Sequence, residues 1–254
     1  MSGDRELVGP HDTMLQAPWE QGRANLAGYQ YSIFTRSALW DCLEPPRPGW
    51  PGGSVGNVQQ DLGAQPASPA DAAAWRRAGS PRSWKAWYDY TVRVSATAGP
   101  REPLPSKEGW TTEETYTGLP TSPARLKAVF LAHPAWFGNN TGSPDEVLSD
   151  DALAVMWGPA SPAVSAAAYR VLASLPGVKM KPDVQDPAGQ SGTAVWFSEP
   201  GPVLSLTIID PATGILLDTE DVAQRPVAHA PAGTVLDYTL LVSGGWTNST
   251  PPSR

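Results

Sequence analysis

The stretch Ser161–Val178, SPAVSAAAYRVLASLPGV, and the run that follows it to Val222 decide the fold. Ser161 is suited to accept a bond from an orphan backbone N–H, and Pro162 has no N–H to waste at the first helical position. Val164, Ala168, Val171, Leu172 and Leu175 fall on one helical stripe, and Pro176-Gly177 stops the helix. Apolar-rich runs come next, at about Val178–Val184, Thr193–Ser198, Val203–Asp210, Ile215–Val222 and Thr234–Ser243. They are divided by DPAG (Asp186–Gly189), EPGP (Glu199–Pro202) and DPATG (Asp210–Gly214). The DPAG and DPATG turns carry proline where a turn begins and glycine where positive φ is needed. A helix feeding an antiparallel meander makes the chain α+β.

Working outward, Ser68-Pro69, Ser122-Pro123 and Ser143-Pro144 repeat the same start signal before helical runs, while Ser80-Pro81 precedes a strand. Helices are expected over Pro123–His133, Pro144–Trp157 and Pro162–Leu175. Trp84–Ala96 (WKAWYDYTVRVSA) alternates as one half-buried strand. Trp84, Ala86, Tyr88, Tyr90, Val92 and Val94 share a face, and Trp87, Asp89, Thr91 and Arg93 lie on the other. Gly28–Trp40 reads as a strand with Tyr29, Tyr31 and Ile33 on one side. His11–Ala27 reads as a short helix kinked at Pro18. Asp41–Ala67 reads mostly as loop, with a brief strand near Val55–Leu62, and Trp110–Gly118 as a returning strand. The organisation is then a helical lead-in over residues 1–27, one domain over 28–245 and a flexible tail over 246–254.

A chain of 254 residues buries roughly 70–75% of its unfolded surface and needs no disulfide or metal for stability. The net charge is −7 and no basic cluster exceeds Arg76-Arg77, which argues against nucleic acid. The single Cys42 has no internal partner and reads as a small, partly buried side chain. No apolar run reaches the ~18 residues of a membrane span, and MSGDRELVGPHD lacks a signal-peptide pattern. The expectation is a cytoplasmic protein, or a cell-envelope one if an N-terminal anchor has been removed.

No GxSxG, HExxH, P-loop or GxGxxG pattern is present. His11, His133 and His229 have no metal-ligand spacing, so neither metal nor cofactor is expected. Asp218, Glu220 and Asp221 read as polar positions on a strand end. Eleven Trp and seven Tyr are the sharpest feature. Buried Tyr and Trp each need a partner for a polar tip, so a cluster of them suits an amphipathic small-molecule cavity. The candidate ligand-binding set is Tyr29, Tyr31, Trp84, Trp87, Tyr88, Tyr90, Arg93, Trp110, Tyr116, Trp136 and Trp157. Asp89, four residues from Arg93 on one strand face, is the candidate acid or base if the protein is an enzyme.

LPTSPARL (Leu119–Leu126), AAYRVLASLPGV (Ala167–Val178), DPAGQSGTAV (Asp186–Val195) and IDPATGILLDTEDV (Ile209–Val222), with the earlier YQYSIFTRS (Tyr29–Ser37), resemble an uncharacterised group of actinobacterial domains. Members of that group are usually membrane-anchored and often lie beside sigma-factor genes. The group is similar in layout to lipoprotein carriers of the LolA/LppX kind. The resemblance implies a strongly curved antiparallel sheet, an unclosed barrel, with helices on its concave side and an apolar cavity between. It carries no catalytic residues over. It differs here in having no visible anchor and a longer Trp/Pro-rich segment at Asp41–Pro81. Two functions are expected from this. One is binding of a hydrophobic or amphipathic, lipid- or polyketide-like molecule. The other is a cofactor-independent cyclase or isomerase of specialised metabolism using the same cavity.

Overall fold

The computed structural model describes residues 13–27, 30–44, 53–85, 91–95, 97–104, 118–133, 142–158, 160–197, 201–227, 230–242 and 244–247. In chain order the elements are β1 (Thr13–Ala27), β2 (Tyr31–Glu44), β3 (Gly53–Pro66), α1 (Pro69–Arg77), β4 (Ser83–Lys85), β5 (Thr91–Arg93) and β6 (Arg101–Leu104). They continue as α2 (Pro123–Ala132), α3 (Pro144–Trp157), α4 (Pro162–Ala173), β7 (Val178–Gln185), β8 (Ser191–Phe197), β9 (Val203–Ile209), β10 (Leu216–Ala223), β11 (Val235–Leu241) and β12 (Gly244–Thr247).

Two antiparallel meanders make one curved sheet. Its strand order is β6-β3-β2-β1-β11-β10-β9-β8-β7, with β12 also on β1 to give ten strands. β1 is the seam: it pairs with β2 along one edge, and with β11 and then β12 along the other. The outer strands β6 and β7 do not pair with each other among the described residues, so the barrel is unclosed.

Strand register carries one face across the sheet. Ile33 lies opposite Asn25, Arg23 opposite Asp237, Asp221 opposite Ser205, and Thr207 opposite Val195. α2, α3 and α4 pack on this face over β8 to β10, where Leu126, Phe130, Val155, Val171 and Leu172 meet Val195, Ile209 and Leu216. Ala152, Ala167 and Ala168 are fully buried and let the helices approach closely. Burial of each large side chain stabilises by about 1.5–3 kcal/mol. α1 covers the other half of the same face, where Tyr31 and Ile33 meet Ala74, Trp75 and Trp84. Asp71 ties α1 down: its carboxylate accepts from Ser32 N at 2.8 Å and from Ser68 Oγ at 2.5 Å. All four helices described therefore share one face.

The expected helices and the C-terminal meander are present, within three residues at each end. Ser68, Ser143 and Ser161 cap their helices through the side chain, whereas Ser122 makes no such bond. Four expectations need correction. His11–Ala27 is not a kinked helix, because from Thr13 it is the central strand β1. Pro18 falls where the β1–β2 register shifts, between Gln16 and Trp19, a place where a missing N–H is tolerated. Asp41–Ala67 is less loop than expected, since β2 runs on to Glu44 and β3 covers fourteen residues. The pairing of β3 with β2 overrides its glycines and glutamines, which have low strand propensity. Trp84–Ala96 is not one strand. β4 and β5 pair antiparallel with Trp84 opposite Val92, so the chain reverses between Lys85 and Thr91. Finally, the expected tail from Trp246 begins inside β12, held by β1. The strand expected at Trp110–Gly118 lies almost wholly outside the described residues.

Candidate functional site

The sheet face away from the helices carries the most concentrated chemistry. Glu20 on β1, Arg36 on β2 and Tyr238 on β11 meet there. Arg36 grips the Glu20 carboxylate as a fork, Nε to Oε1 at 2.5 Å and Nη2 to Oε2 at 2.6 Å. Tyr238 Oη donates to the same Oε1 at 2.7 Å. Gly22, opposite both Arg36 and Tyr238, makes room for this, since a Cβ there would overlap the Tyr238 ring. Phe34 packs against that ring with centroids 5.6 Å apart. Burial disfavours the Glu20 charge, but the bonds from Arg36 and Tyr238 outweigh it and hold the carboxyl below its usual range. Burial, with the Glu20 charge, pushes the Tyr238 phenol up.

Two more carboxyls lie on this face in β10. Glu220 is opposite Tyr238, and Asp218 is opposite Leu240. Asp218 is fully buried, and neither carboxylate oxygen has a partner as an ion. Two ionised carboxylates have no proton to share, so the pair is satisfied only when one holds a proton. Asp218 is that one. Burial, then Glu220's charge and its hydrogen bond, then Asp186's charge, push its carboxyl up to about 9. Burial also raises Glu220, while the bond from Asp218 opposes that rise. Asp186, at the β7–β8 turn, is already satisfied by Ala188 N at 2.9 Å, Gln190 N at 2.7 Å and Gln190 Nε2 at 2.9 Å. Gly189, at φ 82°, gives this turn its left-handed residue.

A cavity of about 590 Å³ lies over these groups. Its walls include Glu20, Arg36, Glu220 and Tyr238, the apolar Phe34, Val235 and Leu240, and two chain segments at its rim, Gln65–Ala67 and Gln185–Ala188. The rim segments come from opposite halves of the sheet, so the curvature brings them to one opening.

A larger cleft of about 1010 Å³ lies between the first turns of α3 and strands β8 to β11. Much of its polar lining is already committed. Ser205 Oγ donates to Asp221 at 2.5 Å and Arg23 holds Asp237 at 2.9 Å. Ser143 and Glu146 cap each other, and Ser149 Oγ donates to Glu146 O at 2.9 Å. Glu220 lines both cavities, and Asp218, whose buried oxygens lack partners as an ion, lies opposite Leu240 in the wall of the smaller one.

The expected aromatic set does not define this cavity in the described residues. Tyr31 and Trp84 lie under α1, and the Trp84 indole N–H is buried with no acceptor among the described residues. Arg93 is exposed on β5, and Trp157 packs beside the core of α2–α4. Tyr29, Trp87, Tyr88, Asp89, Tyr90, Trp110, Tyr116 and Trp136 lie outside the described residues. Sequence reading missed Glu20, Arg36, Tyr238 and the role of Asp218 with Glu220. Period two in LLDTED would put Leu216, Asp218 and Glu220 on one face, but a register shift between Leu216 and Asp218 sends Leu216 to the helix core and the two acids to the other face, so no local signal marked them.

Among the described residues no group of three or more His, Cys, Asp or Glu is arranged to hold a metal. None of their helices is long and apolar enough to cross a membrane. No family model, no curated protein and no solved structure matches the chain.

Proposed function

We propose that this protein binds an amphipathic small molecule in the cavity on the helix-free face. The observation that carries the proposal is the cavity itself. It is of ligand size, and its apolar walls at Phe34, Val235 and Leu240 face a few convergent polar groups, as small-molecule sites do. The ligand's apolar body lies on those walls, and its polar end reaches Glu220 and the Glu20–Arg36–Tyr238 network. The curved, unclosed sheet with its helices on one side suits the carrier-like layout expected from the LolA/LppX resemblance, but this cavity lies on the helix-free face and not between helices and sheet as that resemblance implies. The carrier relationship, the lipid- or polyketide-like ligand and the actinobacterial origin belong to this proposal. Native mass spectrometry and solvent extraction of freshly purified protein are expected to recover a bound apolar molecule. The emptied protein is expected to take up Nile red and to lose that uptake in Val235→Trp, which puts a larger side chain on the cavity wall. Protein that carries no molecule and takes up no dye overturns the proposal.

One observation favours a second reading, the cofactor-independent cyclase or isomerase: the buried, unpartnered Asp218 stands two residues along β10 from the wall residue Glu220, and a carboxyl pair at a cavity can give and take protons in turn. The extracted molecule, returned to fresh protein in D2O, is then expected to gain deuterium at carbon, and Glu220→Gln to stop the exchange. Absence of exchange in the unaltered protein removes this reading and leaves the binding one.

A further inference from the structure

We infer that the cavity on the helix-free face takes an amphipathic cation, an alkylammonium-type head on an apolar body, and that its entry expels the proton held between Asp218 and Glu220. This rests on the binding reading above and names its ligand class.

Charge accounting around the cavity carries the inference. The titratable and charged groups there are Glu20 from β1, Arg36 from β2, Asp218 and Glu220 from β10, Tyr238 from β11 and Asp186 from the β7–β8 turn. Arg36 and Glu20 cancel in their fork. Asp186 spends its carboxylate on two backbone N–H groups and the Gln190 amide. Tyr238 spends its proton on Glu20. Among the described residues the oxygens left over are those of Asp218 and Glu220, and Arg36, the one cation in the walls, is already held. Asp218 shows that these oxygens want a donor: it is wholly buried on the cavity face, beside the wall residue Leu240, with neither oxygen partnered as an ion. A buried carboxylate without a partner is strongly disfavoured, and a proton relieves it. An ammonium group at the wall residue Glu220 relieves it better, since its three N–H donors meet Glu220 and its full charge also favours the Asp218 carboxylate behind the wall. The Asp218 O–H bond then breaks, its proton passes to the buffer, and the charges of two carboxylates are set against one cation. An anionic head meets the opposite situation, with Glu220 in the wall and no free cation among the described residues there to receive it.

The test uses the whole chain at pH 7.5 with n-octylamine, n-octanol and n-octanoate, which share a chain length and differ in the head. Titration calorimetry is expected to find octylamine at least tenfold tighter than the other two. Repeated in buffers of different ionisation enthalpy, it is expected to find close to one proton released per octylamine bound. Glu220→Gln is expected to weaken octylamine at least tenfold more than it weakens octanol. Asp218→Asn is expected to bind octylamine with no proton release. Octanol or octanoate binding as tightly as octylamine overturns the cation assignment and leaves the cavity reading standing. Octylamine binding without proton release overturns the shared proton. Failure of all three probes and of Nile red to bind overturns the cavity reading itself, and this inference with it.

Discussion

Asp151 occupies α3 with both carboxylate oxygens buried and unpartnered. Burial first, and then the neighbouring charge of Asp150, push its carboxyl up to about 7. The folded state therefore binds a proton that the unfolded chain releases near 3.8. This contribution to stability is complete below about pH 4 and is lost as the pH rises to about 7. Asp218 has the same sign, with its window reaching about 9. Glu20 has the opposite sign: its lowered pKa adds stability above the unfolded value, and this is lost as the pH falls. Asp151→Asn is thus expected to match the unaltered protein near pH 4 and to melt at higher temperature from pH 7 upward. A thermal melt series across that range checks it, and equal melting temperatures at pH 8 would count against a buried neutral Asp151. None of these roles was legible in the sequence. Whether Asp218 faces core, cavity or solvent depends on the register of β10 against β9 and β11. The Glu20 network joins residues 16 and 218 positions apart, for which no local pattern exists.

Helix starts are where local chemistry was most legible, and α2 and α3 separate a real cap from a sequence signal. At α3, Glu146 N donates to Ser143 Oγ at 3.4 Å and Ser143 N donates to Glu146 Oε2 at 2.6 Å, a reciprocal capping box. At α2 the Ser122 hydroxyl makes no cap bond. Ser143→Ala is expected to cost about 1 kcal/mol, and Ser122→Ala a few tenths at most. Urea melts read the difference, and equal costs would mean the Ser-Pro signal acts through proline alone. Strand patterns misled for a definable reason. Trp84 and Val92 have the same parity, and they share a face whether the chain runs straight or folds back. Alternation alone therefore cannot see the β4–β5 reversal. β1 was missed because strand pairing on both edges, not its own propensity, makes Thr13–Ala27 extended.

Across the whole molecule, β1 and β11 join a half-sheet built before the helices to one built after them. Arg23 and Asp237, 214 positions apart, bridge that seam at 2.9 Å. The C-terminal half was legible because its turns and helix are local. The full sheet was not, because the seam is a long-range pairing without a turn. Gly22→Val is expected to break the seam by driving a side chain into the Tyr238 ring. Overpacking of this kind costs about 1–3 kcal/mol or more. In hydrogen exchange, amides of both β1 and β11 are expected to lose protection in this variant while α2–α4 keep theirs. Loss confined to β1 would show that the halves are not held by this pairing.

The seam has a consequence for synthesis on the ribosome. Once β2 has folded onto β1, the other edge of β1 offers bare N–H and C=O groups until residues 235–241 have emerged. Every nascent chain thus carries an open strand edge through the translation of roughly two hundred further residues, at ordinary rates an interval of about ten to forty seconds. Neighbouring nascent chains on one messenger present the same edge to each other at the same stage. Covering that edge until β11 arrives is then expected to raise yield in a cell with no change in the stability of the finished sheet.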